Sequence, residues 1–178
     1  MTSIAVVAAA AGGLETMLDQ LICPLVDDGH QVAVTLTPAA ATWLDHTGHR
    51  EQIAAVTHLP VRAHPRLPHE PSPHPHSDLI VAAPLTANST AKLALGLADN
   101  QALTLLCESI ATVPMIVFPR VNAAYARQPA WSQHLDRLRS VGVELIYGDE
   151  VWPLAEPRAA GPRELPWHAI LQAIKSHC

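Results

Sequence analysis

The chain has 178 residues, of which 49% are hydrophobic and 4% aromatic, and its formal net charge is −5 at pH 7. This length favours one domain with a full core, and the negative charge argues against nucleic-acid or anionic-membrane binding. No apolar stretch approaches the roughly 20 residues that a membrane helix needs. The N-terminal apolar run lacks the basic residues of a signal peptide, and a pair of glycines ends it, so we expect a cytoplasmic protein.

The N-terminal part of the chain predicts a strand–helix–strand unit. Residues 4–11 form an apolar run typical of a buried parallel strand. Leucine and isoleucine residues at helical spacing follow, and Gly29 is placed to cap the end of that helix. Residues 30–35 predict a second strand, followed by a short helix at 38–44. Because such units cross over right-handedly, the two strands are expected to lie parallel in one sheet.

The stretch 60–75 is rich in proline and histidine. Proline lacks the N–H group that regular structure requires, so we predict an ordered but irregular loop there. The rest of the chain alternates apolar and amphipathic runs, which favours one doubly wound α/β domain over residues 1–178, a Rossmann- or flavodoxin-like parallel sheet with helices on both faces. The remaining predicted strands cover 78–83, 114–118 and 143–147, and the remaining predicted helices cover 87–96, 100–110, 129–140 and 166–176.

Small or polar residues follow three of the predicted strands. Gly12 and Gly13 follow the first, residues 84–89 the third, and residues 119–122 the fourth. Ligands of doubly wound sheets bind beyond the carboxyl ends of the strands, so we expect these three segments to lie side by side. Hydroxyl groups, an amide and free N–H groups at the start of a helix favour an anion, although plain helix capping would also account for them.

The run APLTANSTAKLALGLADN at residues 83–100 resembles the PASANT segment of the homo-oligomeric flavin-containing cysteine decarboxylases. Lys92, Gly96, Asp99 and Asn100 continue the match. The resemblance implies a flavoprotein that holds FMN without a covalent bond. It places the flavin ring near four residues of this segment, which are Thr86, Ala87, Asn88 and Ser89.

A second segment, PRVNAAYA at residues 119–126, resembles the PxMNxxMW motif of the same family. Asn122 is retained, while Val121 and Tyr125 replace the methionines and Ala126 replaces the tryptophan. The resemblance implies that Asn122 contacts the region of the substrate's cysteine carboxylate. An amide can do so through its NH₂ donors without adding charge, although asparagine in this position is also a common helix cap.

The family's active-site base is a histidine that precedes the PASANT strand, and His69 lies nearest to that place. Imidazole gains and loses a proton near neutral pH, which suits this role. Four other histidines, His58, His64, His74 and His76, remain alternatives for the base. We expect no metal site, because the prolines prevent helical pairing of these histidines and no cysteine or carboxylate set accompanies them.

The first strand–helix turn in the family grips the flavin phosphate. Here Gly12 and Gly13 can offer backbone N–H groups, and the sequence lacks the GxGxxG pattern of dinucleotide sites. Thr37 stands where relatives place a serine or threonine facing the phosphate. It is also a natural cap for a helix that begins at Pro38, and one role does not exclude the other.

Residues 148–161 occupy the position of the family's flexible substrate clamp. Phosphopantothenoylcysteine decarboxylases carry a cysteine there that reduces the enethiol intermediate, whereas this chain has none between Cys107 and Cys178. The resemblance therefore favours the epidermin type, with FMN-dependent oxidative decarboxylation of a peptide's C-terminal cysteine to an enethiol.

Two alternatives stay open at this stage. One is phosphopantothenoylcysteine decarboxylation, a small-molecule reaction of coenzyme A synthesis, for which Arg120 or Arg127 could supply a phosphate patch. The other is a flavin-binding subunit without activity, suggested by the altered methionine positions. Relatives assemble as trimers or dodecamers, so we also expect a homo-oligomer.

Overall fold

The computed structural model describes residues 1–159, 161 and 163–178. Its described part contains a parallel sheet whose strands lie in the order β2-β1-β3-β4-β5. This is the flavodoxin-like order, in which the direction of chain progression reverses between β1 and β3. The strands are β1 (Ser3–Ala8), β2 (Gln31–Leu36), β3 (Leu79–Leu85), β4 (Met115–Pro119) and β5 (Glu144–Leu145).

Short helices connect these strands. The chain after β1 forms a 3₁₀ turn at Leu14–Thr16 and a π-helical turn at Leu18–Ile22, which runs into α1 (Cys23–Asp27). Gly29, with φ of 82°, ends this run as the sequence predicts. The other helices are α2 (Pro38–His46), α3 (His49–Thr57), α4 (Ala87–Leu95), α5 (Gln101–Ser109), α6 (Ala123–Ala126), α7 (Trp131–Ser140) and α8 (Trp167–Lys175).

Alternate residues of β1 face two separate apolar layers. Ile4 and Val6 pack in the layer that contains the helical run after β1 and the inner face of α8. Ala5 and Val7 pack in the layer formed with α4, α5 and α7. Because both faces of the sheet are covered, its strands are apolar along nearly their whole length. The predicted doubly wound α/β fold is confirmed.

Several predicted boundaries were wrong. The single helix expected after the first strand is divided into three segments of different pitch, and α3 and α6 were not predicted. In α3 the buried residues are Ile53 and Thr57, too few to produce an apolar periodicity, and α6 has only four residues. Within the predicted irregular loop, Arg62 pairs with Thr35 of β2, so the chain briefly extends the sheet.

No helix in the described part of the chain is long and apolar enough to cross a membrane.

Candidate functional site

The carboxyl ends of β1, β3 and β4 are tied together by backbone hydrogen bonds. The N–H of Ala9 donates to the carbonyl of Pro84 at 2.8 Å, and the N–H of Arg120 donates to that of Leu85 at 2.8 Å. The segments that follow these strands therefore begin side by side at the switch point of the sheet, as the sequence predicts. Thr37 joins the same edge, because its N–H donates to the carbonyl of Ala8 at 2.9 Å.

The Gly12–Gly13 turn is packed closely by other parts of the chain. A Cβ on Gly12 would lie 3.3 Å from a terminal nitrogen of Arg120, and one on Gly13 would lie 2.6 Å from Cγ of Leu165. Gly13 also has a φ of 94°, a left-handed conformation that disfavours other residues. The two backbone N–H groups have no acceptor within the described residues, so they can serve a ligand.

The start of α4 is organised by Thr86. Its Oγ1 accepts a hydrogen bond from the N–H of Ser89 and lies 3.1 Å from the Ser89 hydroxyl. Ser89 is buried, whereas Asn88 is exposed. The cap uses the hydroxyl of Thr86, while the first N–H groups of the helix, those of Ala87 and Asn88, remain directed beyond the end of β3.

Residues that continue the PASANT match hold the corner between α4 and α5. Lys92 forms an ion pair with Asp99, and this contact lowers the pKa of the Asp99 carboxyl. Asn100 caps α5 by accepting a hydrogen bond from the N–H of Leu103 at 3.1 Å. Gly96, with φ of 70°, ends α4. These residues therefore orient α4, whose N-terminus faces the site.

Thr37 caps α2, as the capping interpretation expects. Its Oγ1 accepts a hydrogen bond from the N–H of Ala40 at 3.3 Å, and the side chain is 8% exposed. The long cap distance and the position next to Ala8 leave the hydroxyl proton free to donate at the same edge of the sheet.

Asn122 lies at the end of β4 and caps α6. Its Oδ1 accepts a hydrogen bond from the N–H of Tyr125 at 2.8 Å. This bond fixes the orientation of the amide, since only the oxygen can accept. The NH₂ group is therefore left as the donor that can face a ligand.

Asn122 lines a cavity of about 130 Å³ together with Arg120, Trp152 and part of the segment 155–158. This segment belongs to the stretch predicted as a clamp, and the structure docks it on α6. The N–H of Ala123 donates to the carbonyl of Ala155 at 2.9 Å. Arg127 and Glu156 form a two-pronged ion pair with distances of 2.6 and 2.9 Å. Position 160 of the predicted clamp lies outside the described residues.

A second cavity of about 430 Å³ adjoins the first. It shares Arg120, Gly161 and Arg163 with the smaller cavity, and its other lining residues are Gly12, Gly13, Glu15, Thr16, Gln20 and Glu164. Two of the three predicted strand ends, the Gly12–Gly13 turn and the Asn122 turn, thus meet in one cleft.

The guanidinium groups of this cleft were largely missed by sequence reasoning. Arg120 entered only as a phosphate patch in the alternative function, and nothing in the sequence singled out Trp152 or Arg163. Arg120 occupies a variable position of the PxMNxxMW-like motif, two residues before Asn122. An arginine at this position was the available signal for an anion site.

His69 lies elsewhere in the chain. It is exposed, lies in the irregular loop between α3 and β3, and lines neither cavity. Neighbouring Pro65 and Pro68 lie against α5, in a shallow cavity that also contains Arg62. Since Arg62 pairs beyond β2 and Asn122 follows β4, about four strand spacings of roughly 4.8 Å separate their positions along the sheet. The structure therefore does not bring His69 and Asn122 together within one chain.

Of the alternative histidines, His74 is held most firmly. Its Nε2 donates to the carbonyl of Pro60 at 2.7 Å, and burial lowers the pKa of its imidazole. His58, His64 and His76 are exposed. The described residues contain no group of three or more histidine, cysteine, aspartate or glutamate side chains arranged to hold a metal ion.

The residues of this edge fit the phosphate and polar ring of a flavin mononucleotide. The Gly12 and Gly13 N–H groups, which have no acceptor within the described residues, provide donors for a phosphate. The N-terminus of α4 and the exposed Asn88 amide provide donors beside the end of β3. Such a donor set suits the electronegative edge of a flavin ring.

The Flavoprotein family matches residues 2–177, and the chain belongs to this family. The fold is similar to that of TvaF, an FMN-dependent cysteine decarboxylase from thioviridamide biosynthesis, with a TM-score of 0.72, 23% identity and coverage of 99% of this chain and 98% of that chain. It is also similar to the peptidyl-cysteine decarboxylase EpiD, with a TM-score of 0.62, 16% identity and coverage of 82% and 85%.

Among curated proteins, phosphopantothenoylcysteine decarboxylase of Oryza sativa subsp. japonica is 34% identical over 70 residues, which cover 39% of this chain and 32% of that protein. The bifunctional coenzyme A biosynthesis protein CoaBC of Thermococcus kodakarensis is 29% identical over 70 residues, 39% of this chain and 17% of that protein. The matched segment thus spans about a third or less of the length of these relatives.

Proposed function

We propose that this protein binds FMN and oxidatively decarboxylates a cysteine, the C-terminal cysteine of a peptide, to an enethiol. The observation that carries the proposal is that the carboxyl ends of β1, β3 and β4 lie side by side, so that the Gly12–Gly13 turn, α4 and the Asn122 turn begin at one edge of the sheet, in a chain of the Flavoprotein family. Similarity to TvaF and EpiD supports cysteine decarboxylation.

FMN, which Gly12, Gly13 and Thr37 would hold by its phosphate, would supply the two-electron oxidation that removes the Cβ–H and S–H hydrogens of the cysteine and leaves a thioaldehyde. The C=S group then lies next to the carboxylate and accepts the electron pair of the Cα–carboxyl bond as CO₂ departs. Protonation of the resulting enethiolate on sulfur gives the enethiol. The net change is the loss of CO₂ and two hydrogens.

The chain's own residues hold the substrate and move its protons. The Asn122 NH₂ group donates to the carboxylate and orients it. The amide adds no positive charge that would stabilise the carboxylate before the reaction and so slow the loss of CO₂. His69 accepts the thiol proton. Gly12, Gly13 and Thr37 hold the cofactor phosphate, and Thr86, Ala87, Asn88 and Ser89 hold the ring. The segment 148–161 closes over the substrate and excludes water.

The separation of His69 from Asn122 along the sheet supports an oligomeric site. We propose that His69 serves the Asn122 cleft of a neighbouring subunit, so that each site is completed by two chains. A trimer or a multiple of a trimer, as the family resemblance implies, would present such a boundary repeatedly.

Phosphopantothenoylcysteine decarboxylation is the second candidate. It is supported by the curated relatives and by the three arginines, Arg120, Arg158 and Arg163, around the smaller cavity. The absence of a cysteine from residues 148–161 disfavours a complete reaction of this kind, because the reductive second step would lack its thiol.

The test is incubation of FMN-loaded protein with a cysteine-ended peptide, the serine-ended peptide as control, and phosphopantothenoylcysteine. We expect CO₂ release and loss of the mass of CO₂ and two hydrogens from the cysteine peptide alone. Turnover of phosphopantothenoylcysteine alone would establish the second candidate. A flavin-loaded protein that changes neither substrate would refute both and support a non-catalytic flavin-binding role.

A further inference from the structure

Two arginine side chains lie against one indole ring in the cleft. The guanidinium carbon of Arg163 lies 4.1 Å from the ring centroid of Trp152, and that of Arg120 lies 5.5 Å from it. Trp152 is 7% exposed and is itself held by the edge of Phe118, at a centroid distance of 5.6 Å, and by a hydrogen bond from Nε1 to the carbonyl of Glu164. The indole ring thus fixes both cations in position.

Neither guanidinium has an acidic partner within the described residues. The Nε of Arg120 and one terminal nitrogen of Arg163 are buried and have no hydrogen-bond partner there. Glu156, which lines the smaller cavity, is already engaged by Arg127. Glu15 and Glu164 line the larger cavity with the two arginines, and neither forms an ion pair with them in the described part of the chain. Stacking on an aromatic ring recovers only part of the hydration energy that two partly buried cations lose. Because both arginines line the same cavities, the arrangement favours an anion bound there.

The position of Arg120 and Arg163 relative to Asn122 indicates which anion they bind. Arg120 is separated from Asn122 by one residue, and Arg120, Arg158 and Arg163 line the same cavity as Asn122. Guanidinium groups bound to the reacting carboxylate would stabilise it in the ground state. This would raise the barrier to loss of CO₂. The pair is therefore unsuited to the reacting carboxylate and suited to a second anionic group of the same substrate.

We propose that Arg120 and Arg163, held by Trp152, form an oxyanion site that selects substrates carrying an acidic group beyond the reacting cysteine. This inference rests on the proposed function and adds a specificity determinant to it. The oxyanion can be a carboxylate side chain of a peptide or the phosphate of a small cysteine conjugate. Both offer the planar or forked acceptor geometry that a guanidinium group matches.

The test measures binding, so it does not depend on turnover. Serine-ended peptides, with glutamate or glutamine near the terminus, are titrated calorimetrically into FMN-loaded wild type, Arg120→Gln and Arg163→Gln. We expect wild type to bind the glutamate peptide about tenfold more tightly than the glutamine peptide, because a hydrogen bond between charged groups contributes a binding free energy of that size. Each variant should lose this preference. Arg137→Gln, an exposed substitution on α7, should retain the preference, and an unchanged urea midpoint shows that each variant is folded.

A parallel titration with phosphopantothenate and pantothenate distinguishes the source of the oxyanion. A preference for the phosphorylated compound that disappears in the arginine variants supports the site and assigns it to a phosphate. The affinities of FMN and riboflavin for the apoprotein are measured for wild type and for both arginine variants. If the variants weaken FMN but not riboflavin, the oxyanion is the cofactor's and the substrate site is overturned. Unchanged preferences in both variants also overturn it.

Discussion

The Oδ1 atom of Asn122 accepts the backbone N–H of Tyr125 at 2.8 Å, so the side-chain oxygen caps α6 while the NH₂ group remains available. Capping and substrate binding thus use opposite ends of one amide. An aspartate at this position would keep the acceptor and replace the donor with a negative charge, which separates the two roles experimentally.

Asn122→Asp should therefore leave the free energy of unfolding within about 0.5 kcal/mol of wild type, because aspartate caps helices as well as asparagine does. It should abolish CO₂ release from a cysteine-ended peptide, since two carboxylates would face each other. Asn100→Asp, the matched cap change at the start of α5, should preserve CO₂ release, while its stability falls because the Asn100 NH₂ group donates to Asp99 at 3.0 Å. Loss of stability without loss of activity in Asn122→Asp would show that the residue is only a cap.

Gly13 should tolerate no side chain. Gly13→Ala places a Cβ 2.6 Å from Leu165 in a backbone with φ of 94°. The left-handed conformation costs about 1–2 kcal/mol, and overpacking against Leu165 adds about 1–3 kcal/mol. Urea unfolding of the apoprotein measures the sum.

Gly142→Ala is the matched control, because Gly142 has φ of 88° and nothing within 4 Å of its Cβ position. It should show the conformational cost alone. Equal costs for the two variants would contradict the packing described at Gly13, and Leu165→Ala in the Gly13→Ala background should recover part of the difference.

His69 and Asn122 should complement each other between subunits. His69→Asn and Asn122→Asp should each be inactive alone. Mixing them under conditions that exchange subunits should restore part of the activity, because some boundaries then contain an intact pair. Mixing each variant with itself is the control. Absence of any restored activity, with subunit exchange verified by mass, would rule out a site shared in this way.

The sequence predicted the sheet well because buried parallel strands are continuous apolar runs, as at Val6 and Val81. It located the three strand ends for the same reason. It missed the Arg120–Trp152–Arg163 contact, because stacking between distant residues leaves no periodicity in the sequence. It also could not show that His69 and Asn122 lie apart, because the local pattern of apolar residues does not determine the order of the strands in the sheet.

The pH dependence of stability should include a contribution from His74. Burial lowers the pKa of His74 in the folded protein, while in the unfolded chain histidine titrates near about 6.5. As pH falls below about 6.5 the unfolded state binds the proton first, so folding is destabilised until the folded pKa is passed. Above that window the group contributes nothing to the slope.

His74→Gln should therefore flatten the decline of the urea midpoint as pH falls below about 6.5, although losing the hydrogen bond to Pro60 lowers stability throughout. His76→Gln, a neighbouring exposed substitution, should leave the slope unchanged. A variant slope identical to that of wild type would contradict the assignment to His74.

The most direct test of the account is the absorption spectrum of FMN-loaded protein mixed anaerobically with a cysteine-ended peptide. Cysteine oxidation by the flavin predicts that the oxidised-flavin band bleaches in step with CO₂ release, and that it persists with the serine-ended peptide. A band that stays unchanged while CO₂ is released, or that bleaches equally with both peptides, would contradict flavin-dependent cysteine decarboxylation by this protein.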